Sequence, residues 1–361
     1  MKLGTVDYAL VRLASAASPW MAWLGDRETA VMRSELDRIP LETPLFISGL
    51  ARSGTTVLLE ELTGTGHFGT HCYQDFPFVM TPAWWQKFLG RFAVAQEPVE
   101  RAHRDRIRIT PQSPEAFEEP IWQTFFPHIH AADRLHQIDA TTEHPEFERF
   151  YRDHLRKVLM LRSRRRYLSK GNYNFTRLPY ITRILPDARF VIPVRHPVDH
   201  VHSLVRQHQL FTSYAQDDRR IGRYLAAAGH YEFGPQRMPI RLTESGASRI
   251  ETAWQRGDEY GGYAAQWHEV YRFIDAMRQS PDTAQHILIV RYEDFCQDPH
   301  GTLAGVLKHA DCDATHLGEK NWDHISPPTR KDGEIPDAVR DQVWAEVAEV
   351  ASRFGYESAA N

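Results

Sequence analysis

Four short apolar runs along the chain have the length and composition of buried strands. They occupy residues 45–48, 167–170, 189–194 and 286–290, and each ends at a glycine-rich turn or a charged residue. Apolar residues at three- and four-residue spacing predict helices up to about residue 41, from Pro197, and over residues 57–62, 154–163, 175–185, 257–278 and 337–353. Strands that alternate with helices predict an α/β fold with a mostly parallel central sheet and helices on both faces.

Two other stretches lack clear periodicity. Residues 73–112 are rich in proline and aromatic residues, which is more typical of a cleft wall or a lid than of a sheet. After them, Ser113 as N-cap and Pro114 at the first helical position predict the start of a helix. Residues 212–256 are polar and contain several glycines, so we expect an irregular segment there.

The main chemical signal lies between the first strand and the helix that follows it, where the sequence reads Gly-Leu-Ala-Arg-Ser-Gly-Thr-Thr from residue 49. Glycines let backbone amides point toward an anion, a helix N-terminus adds positive potential, and hydroxyl groups complete the shell of donors. The pattern therefore predicts a P-loop-like phosphate-binding turn. Its binding residues are Arg52, Ser53, Gly54, Thr55 and Thr56.

The spacing also matches that of nucleoside triphosphate loops, in which a lysine precedes the last Ser or Thr. Here Thr55 takes the place of that lysine, and the cation is Arg52. Arg195 follows the strand at residues 189–194, where a triphosphatase often has a metal-binding aspartate. These differences favour an anion bound without a metal. A kinase-type phosphotransferase is the alternative enzyme, and a tight connection without a ligand is the simplest alternative.

With these features the loop resembles the 5′-phosphosulfate loop of sulfotransferases that use 3′-phosphoadenosine 5′-phosphosulfate (PAPS), particularly their bacterial branch. In that family an arginine at a strand end and a serine eight residues later bind the 3′-phosphate, and Arg195 and Ser203 have this spacing. The resemblance covers about residues 45–303. It implies a sulfotransferase that binds PAPS, releases 3′-phosphoadenosine 5′-phosphate (PAP) and needs no metal.

Three further segments resemble family positions. Lys170 ends a short strand, like the family lysine that stabilises charge on the bridging oxygen, so Arg52 and Lys170 are the expected catalytic cations. Tyr292 follows the last strand and is expected to pack near the adenosine. Arg330 and Lys331 resemble the basic segment that closes over the 3′-phosphate, although Asp332 interrupts the usual Arg-Lys-Gly.

The general base is expected to be Glu or His, because family members use either. We predict Glu118, since helical spacing from Ser113 places it among Ile121, Trp122 and Phe125, an apolar setting that raises a carboxylate pKa. The second choice is Glu119. The remaining alternatives are Glu115, His128 and His130.

Composition limits the class of protein. A net charge of −4 provides no overall basic field for nucleic acid. Three cysteines without a Cys-x-x-Cys pair fit a reducing compartment and argue against a disulfide framework or a zinc site. No stretch reaches the roughly 18 uncharged apolar residues of a membrane span, and the N-terminus lacks a signal core. We therefore expect a cytoplasmic protein with at most peripheral membrane contact.

The domain prediction is one sulfotransferase domain over residues 1–361. Its parts are an N-terminal helical extension (1–43), a nucleotide-binding core (44–204), an acceptor-site insertion (205–285), and a C-terminal strand and helices (286–361). Aromatic residues at 76–92 suit a sugar face or an apolar chain. Because bacterial relatives often act on carbohydrates, the resemblance favours a carbohydrate or glycolipid hydroxyl. A non-catalytic nucleotide-binding protein remains an alternative, and the oligomeric state stays open.

Overall fold

The computed structural model describes residues 4–90, 97–103, 107–317, 322, 324–325 and 335–357. In this part of the chain the strands are β1 (Leu45–Ile47), β2 (Phe68–Gly69), β3 (Val99–Glu100), β4 (Arg108–Ile109), β5 (Arg166–Lys170), β6 (Arg189–Val194) and β7 (Ile287–Arg291). The helices are α1 (Thr5–Ala16), α2 (Ser18–Val31), α3 (Arg33–Leu36), α4 (Thr55–Gly64), α5 (Pro82–Leu89), α6 (Glu119–Phe125), α7 (Pro145–Arg162), α8 (Leu178–Ile184), α9 (Pro197–Asp217), α10 (Arg220–Ala227), α11 (Glu244–Gln255), α12 (Glu259–Gln279), α13 (Tyr292–Gln297), α14 (Pro299–His309) and α15 (Asp337–Ser352).

The central sheet has five parallel strands in the order β2-β5-β1-β6-β7. Strand β1 lies in the middle, with Ile47 opposite Lys170 of β5 on one side and opposite Val191 of β6 on the other. Because all five strands point the same way, the segments that follow β1, β5, β6 and β7 meet at one edge of the sheet. In open α/β sheets ligands bind at this edge.

Alternate residues of each central strand belong to different hydrophobic cores. Phe46 of β1 and Phe190 of β6 stack at 5.0 Å between ring centroids in the larger core. Their neighbours Leu45, Ile47 and Val191 point into the second core, against α4 and α14. The two buried faces confirm the predicted α/β class with helices on both sides of a parallel sheet.

The predicted strands all occur within two residues of their expected bounds. The helix predicted from Ser113 is wrong: α6 begins at Glu119. Residues 71–73 instead pair with this segment, because the Tyr73 amide donates to the Ser113 carbonyl and the Glu115 amide to the His71 carbonyl. These long-range bonds use the backbone groups that a helix would need.

The irregular segment predicted over residues 212–256 is also wrong, because α9, α10 and α11 cover most of it. Helix α10 buries Ile221 and Leu225, and α11 buries Ala247 and Ile250. Each helix thus packs one apolar face against the protein, and in α11 this face lies among mostly polar residues. No helix in the described ranges is long and apolar enough to cross a bilayer.

Candidate active site

The loop after β1 has the backbone geometry expected of an anion cradle. Arg52 and Gly54 have positive φ angles of 72° and 101°. Gly54 precedes α4, and a Cβ there would lie 2.5 Å from the ring of Tyr292, so no other residue fits. Since α4 starts at Thr55, its free amides point at this turn.

The hydroxyl groups of the loop differ in their surroundings. Ser53 is buried, and its Oγ donates to the Leu50 carbonyl at 2.8 Å, which holds the turn closed. Thr55 is also buried, whereas Thr56 is partly exposed. Thr55 and Thr56 therefore begin the helix at the point where an anion would meet its N-terminus.

The second motif lies against this loop because β6 is next to β1. Arg52 Nε lies 3.4 Å from Ser203 Oγ on α9, and Arg195 donates to the Arg52 carbonyl at 3.3 Å. Arg195 is 9% exposed, and its Nε has no hydrogen-bond partner in the part of the chain that the structure describes. A buried guanidinium with an unused donor suits a phosphate oxygen.

Tyr292 forms the floor beneath this cation. Its ring lies 5.3 Å from the Arg195 guanidinium carbon and packs against Gly54. Burial raises the pKa of Tyr292 to about 12, so its hydroxyl stays neutral. The predicted closing residues Arg330 and Lys331 lie outside the described residues.

Lys170, at the end of β5, meets Glu115. Lys170 Nζ donates to Glu115 Oε1 at 2.9 Å, and both side chains are buried. Tyr73 donates to Glu115 Oε2 at 2.6 Å, and Arg101 lies 3.8 Å from the same oxygen. Burial alone would raise the pKa of Glu115, but Lys170, Arg101 and the hydrogen bonds hold it well below its ordinary value.

Glu118, the predicted base, lies elsewhere. It is 3% exposed and accepts hydrogen bonds from Tyr151 at 2.9 Å and from Tyr167 at 2.5 Å. Both tyrosines belong to the larger core, and burial followed by the charge of Glu118 raises their pKa values well above the ordinary range. Contacts among described residues therefore join Glu118 to the core and not to Lys170.

Glu119 also has its own partners. Arg177 donates to it at 2.6 Å, and a ring nitrogen of His130 lies 2.7 Å from its other oxygen. Burial would raise the pKa of Glu119, but Arg177 and His130 lower it to about 2. His128, another of the alternative bases named from the sequence, is exposed.

Three residues near Glu115 were missed by the sequence reasoning: Tyr73, Arg101 and His103. Burial and the nearby charges of Arg101 and Arg52 hold the pKa of His103 well below its ordinary value, so its imidazole is neutral at neutral pH. All three come from the aromatic stretch at residues 73–112. The composition of that stretch, which is typical of a cleft wall, was the sole sequence feature that pointed to them. No cluster of three or more potential metal ligands occurs among the described residues.

Comparison with known proteins shows the family of the chain. A profile described as the sulfotransferase family matches residues 44–250 of the 361-residue chain. The chain therefore belongs to the sulfotransferase family, whose members generally use PAPS as the sulfate donor. The match spans the loop, Lys170, Arg195 and Ser203. No curated protein sequence matches the chain.

Several solved bacterial sulfotransferases resemble the chain. Sulfotransferase STF9 from Mycobacterium avium has 15% identity and a TM-score of 0.50, over 92% of this chain and 83% of that one. STF1 from Mycobacterium tuberculosis H37Rv has 16% identity and a TM-score of 0.44, over 88% and 81%. A sulfotransferase from Alicyclobacillus acidocaldarius has 14% identity and a TM-score of 0.41, over 88% and 98%. At such low identity the STF9 likeness supports the fold alone.

Proposed function

We propose that this enzyme transfers the sulfuryl group of PAPS to an acceptor hydroxyl and releases PAP. Three groups lie at one edge of the sheet and support this proposal. They are the loop at Arg52, the buried cation Arg195, and the Lys170–Glu115 pair. In the reaction the acceptor oxygen bonds to sulfur, the bond from sulfur to the 5′-phosphate oxygen breaks, and PAP leaves with that electron pair.

On the donor side, the amides at the start of α4 and the hydroxyls of Thr55 and Thr56 bind the 5′ end of the nucleotide. Arg195 and Ser203 bind the 3′-phosphate, and Tyr292 packs beside the adenosine. Arg330 and Lys331 would close over the 3′-phosphate, as the sequence predicts. Arg52 and Lys170 stabilise charge on the departing side. Catalysis of this kind is chiefly positioning and electrostatic stabilisation.

For the base we propose Glu115 in place of Glu118. Glu115 is the carboxylate bonded to Lys170, and Lys170 stands opposite Ile47, two residues before the loop. Its lowered pKa keeps it ionised at neutral pH, so it can accept the hydroxyl proton. Such a weak base suffices when the hydroxyl becomes acidic as its bond to sulfur forms. The neutral His103 is the second candidate for this role.

The acceptor is a hydroxyl compound, and the sequence prediction of a carbohydrate or glycolipid is retained as part of this proposal. The aromatic residues of the 73–112 stretch support it, since Tyr73 and Phe76 pack around Phe117 next to Glu115. The cytoplasmic location and the single-domain organisation also remain predictions.

A pair of isosteric variants tests the base. Glu115→Gln should lower kcat by roughly 10²- to 10⁴-fold, the usual contribution of a general base, with labelled sulfate transfer from PAPS as the assay. PAP affinity, measured by calorimetry, should stay within threefold. The matched Glu118→Gln variant keeps a carbonyl oxygen for one of the two tyrosine hydroxyls, and its NH2 group can donate to the other, so it should keep most activity. The opposite pattern, with Glu118→Gln inactive and Glu115→Gln active, would return the role to Glu118.

A further inference from the structure

A partly open cavity lies beneath the N-terminal helices. Its volume is about 220 Å³, and it is bounded by α1, α2, the loop at Phe76, α6 and α10. The cavity exists because two helices that are distant in sequence face it with small side chains. These are Ala14 and Ser15 on α1, and Ala226 and Ala227 on α10. None of the described residues around it is charged, and Met21, Val79 and Met80 add apolar surface.

One aromatic layer separates this cavity from the catalytic carboxylate. Phe76 lines the cavity, and its ring stacks on Phe117 at 5.0 Å. Phe117 meets the edge of Tyr73 at 5.8 Å, and the Tyr73 hydroxyl donates to Glu115 at 2.6 Å. The layer is completed by Tyr224 of α10, whose ring lies 5.8 Å from Phe76.

The two sides of the layer have opposite chemistry. On one side Lys170, Arg101 and Glu115 form a buried ionic centre, which suits a reacting hydroxyl. On the other side the cavity is uncharged, with Met21, Val79 and Met80 beside the polar residues Ser15, Ser18 and Gln123, which suits a chain that is mostly apolar. Phe76 is only partly buried, and among the four rings of this layer it is the one that also lines the cavity.

We propose that the acceptor is an amphipathic alcohol whose apolar chain lies in the cavity between α1, α6 and α10 while its hydroxyl reaches Glu115. This inference rests on the proposed sulfotransfer. It narrows the proposed carbohydrate or glycolipid acceptor to an amphipathic molecule whose apolar chain lies within reach of the reacting hydroxyl, and it excludes a free sugar. Burying each methylene stabilises the complex by about 0.8 kcal/mol, which is about fourfold in affinity.

Substitution of alanine by phenylalanine, at positions that line the cavity and at one that does not, tests the proposal. Ala14→Phe and Ala227→Phe each add a ring to the lining of the cavity, from α1 and α10 respectively, whereas Ala16→Phe adds the same ring at an exposed position of α1. Binding of n-decanol to the PAP-saturated enzyme is measured by calorimetry, with PAP affinity and melting temperature as checks on folding. We expect at least tenfold weaker n-decanol binding in both cavity variants and unchanged binding in Ala16→Phe.

Chain length provides the second measurement. With labelled PAPS and n-alkanols of increasing length, kcat/KM should rise about fourfold per methylene up to the capacity of the cavity. Ala14→Phe should flatten this rise without changing transfer to ethanol. Equal n-decanol binding by all variants, or a flat series in the wild type, would overturn the cavity assignment. Absence of PAP binding would instead overturn the proposed sulfotransfer, so the two failures are distinguishable.

Discussion

At the scale of single residues, the cations were easier to locate than the acids. Lys170 and Arg195 each stand at a strand end, and strand ends are fixed by short apolar runs that the sequence displays. The choice among Glu115, Glu118 and Glu119 depends instead on the backbone path from residue 113 to 119. Backbone pairing with residues 71–73 sets that path. Such pairing between distant segments cannot be predicted from the local sequence pattern.

The contacts of Glu119 with Arg177 and His130 predict a pH-dependent stability. Glu119 has a folded pKa of about 2 against an ordinary 4.5, so its contribution is full above pH 4.5 and is lost as pH falls toward 2. The shift corresponds to about 3 kcal/mol. Glu119→Gln, which leaves buried Arg177 without its counter-charge, should lower the free energy of unfolding at pH 7 by about this amount.

Urea denaturation at pH 7 and at pH 3 measures this effect. The difference between wild type and Glu119→Gln should shrink at pH 3, because the wild-type carboxylate is then losing its contribution. Glu143→Gln, at an exposed position, should change stability by less than about 0.5 kcal/mol. A wild-type advantage that grows on acidification would refute the assigned ion pair.

At the scale of elements, the unit formed by β1, the loop and α4 could be predicted because each part has its own local signal. An apolar run gives the strand, the glycines give the turn, and the apolar spacing gives the helix. Helices α10 and α11 gave a weaker signal, because α10 has only eight residues and α11 buries only the small residues Gly246 and Ala247 beside Ile250. Local patterns therefore predicted the strand, loop and helix from β1 to α4 but not helices α10 and α11.

Substitution of the loop glycine tests this element. Gly54→Ala would place a methyl group 2.5 Å from the Tyr292 ring at a φ of +101°, so the turn must distort. We expect at least a tenfold loss of PAP affinity by calorimetry. In Gly305→Ala the added methyl group on α14 meets nothing within 4 Å, and it should leave affinity unchanged and raise stability slightly. Equal PAP affinity in both variants would contradict the cradle.

At the scale of the whole molecule, the parallel sheet explains why distant segments form one site. The loop, Lys170, Arg195 and Tyr292 follow four different strands, and the order β5-β1-β6-β7 brings those strand ends to one edge. Such convergence could be expected from an α/β pattern before the structure was known. The cavity could not, because it depends on how α1 meets α10, more than 200 residues away along the chain.

The most direct test of the account is the nucleotide affinity of Arg195→Ala, measured by calorimetry with PAP and with adenosine 5′-phosphate, which lacks the 3′-phosphate. The account predicts a roughly 10- to 100-fold loss for PAP, since a charge-assisted hydrogen bond is removed, and almost no change for adenosine 5′-phosphate. Arg223→Ala, at an exposed position on α10, serves as the control. Equal losses for both nucleotides, or no loss for PAP, would contradict the assignment of Arg195 to the 3′-phosphate.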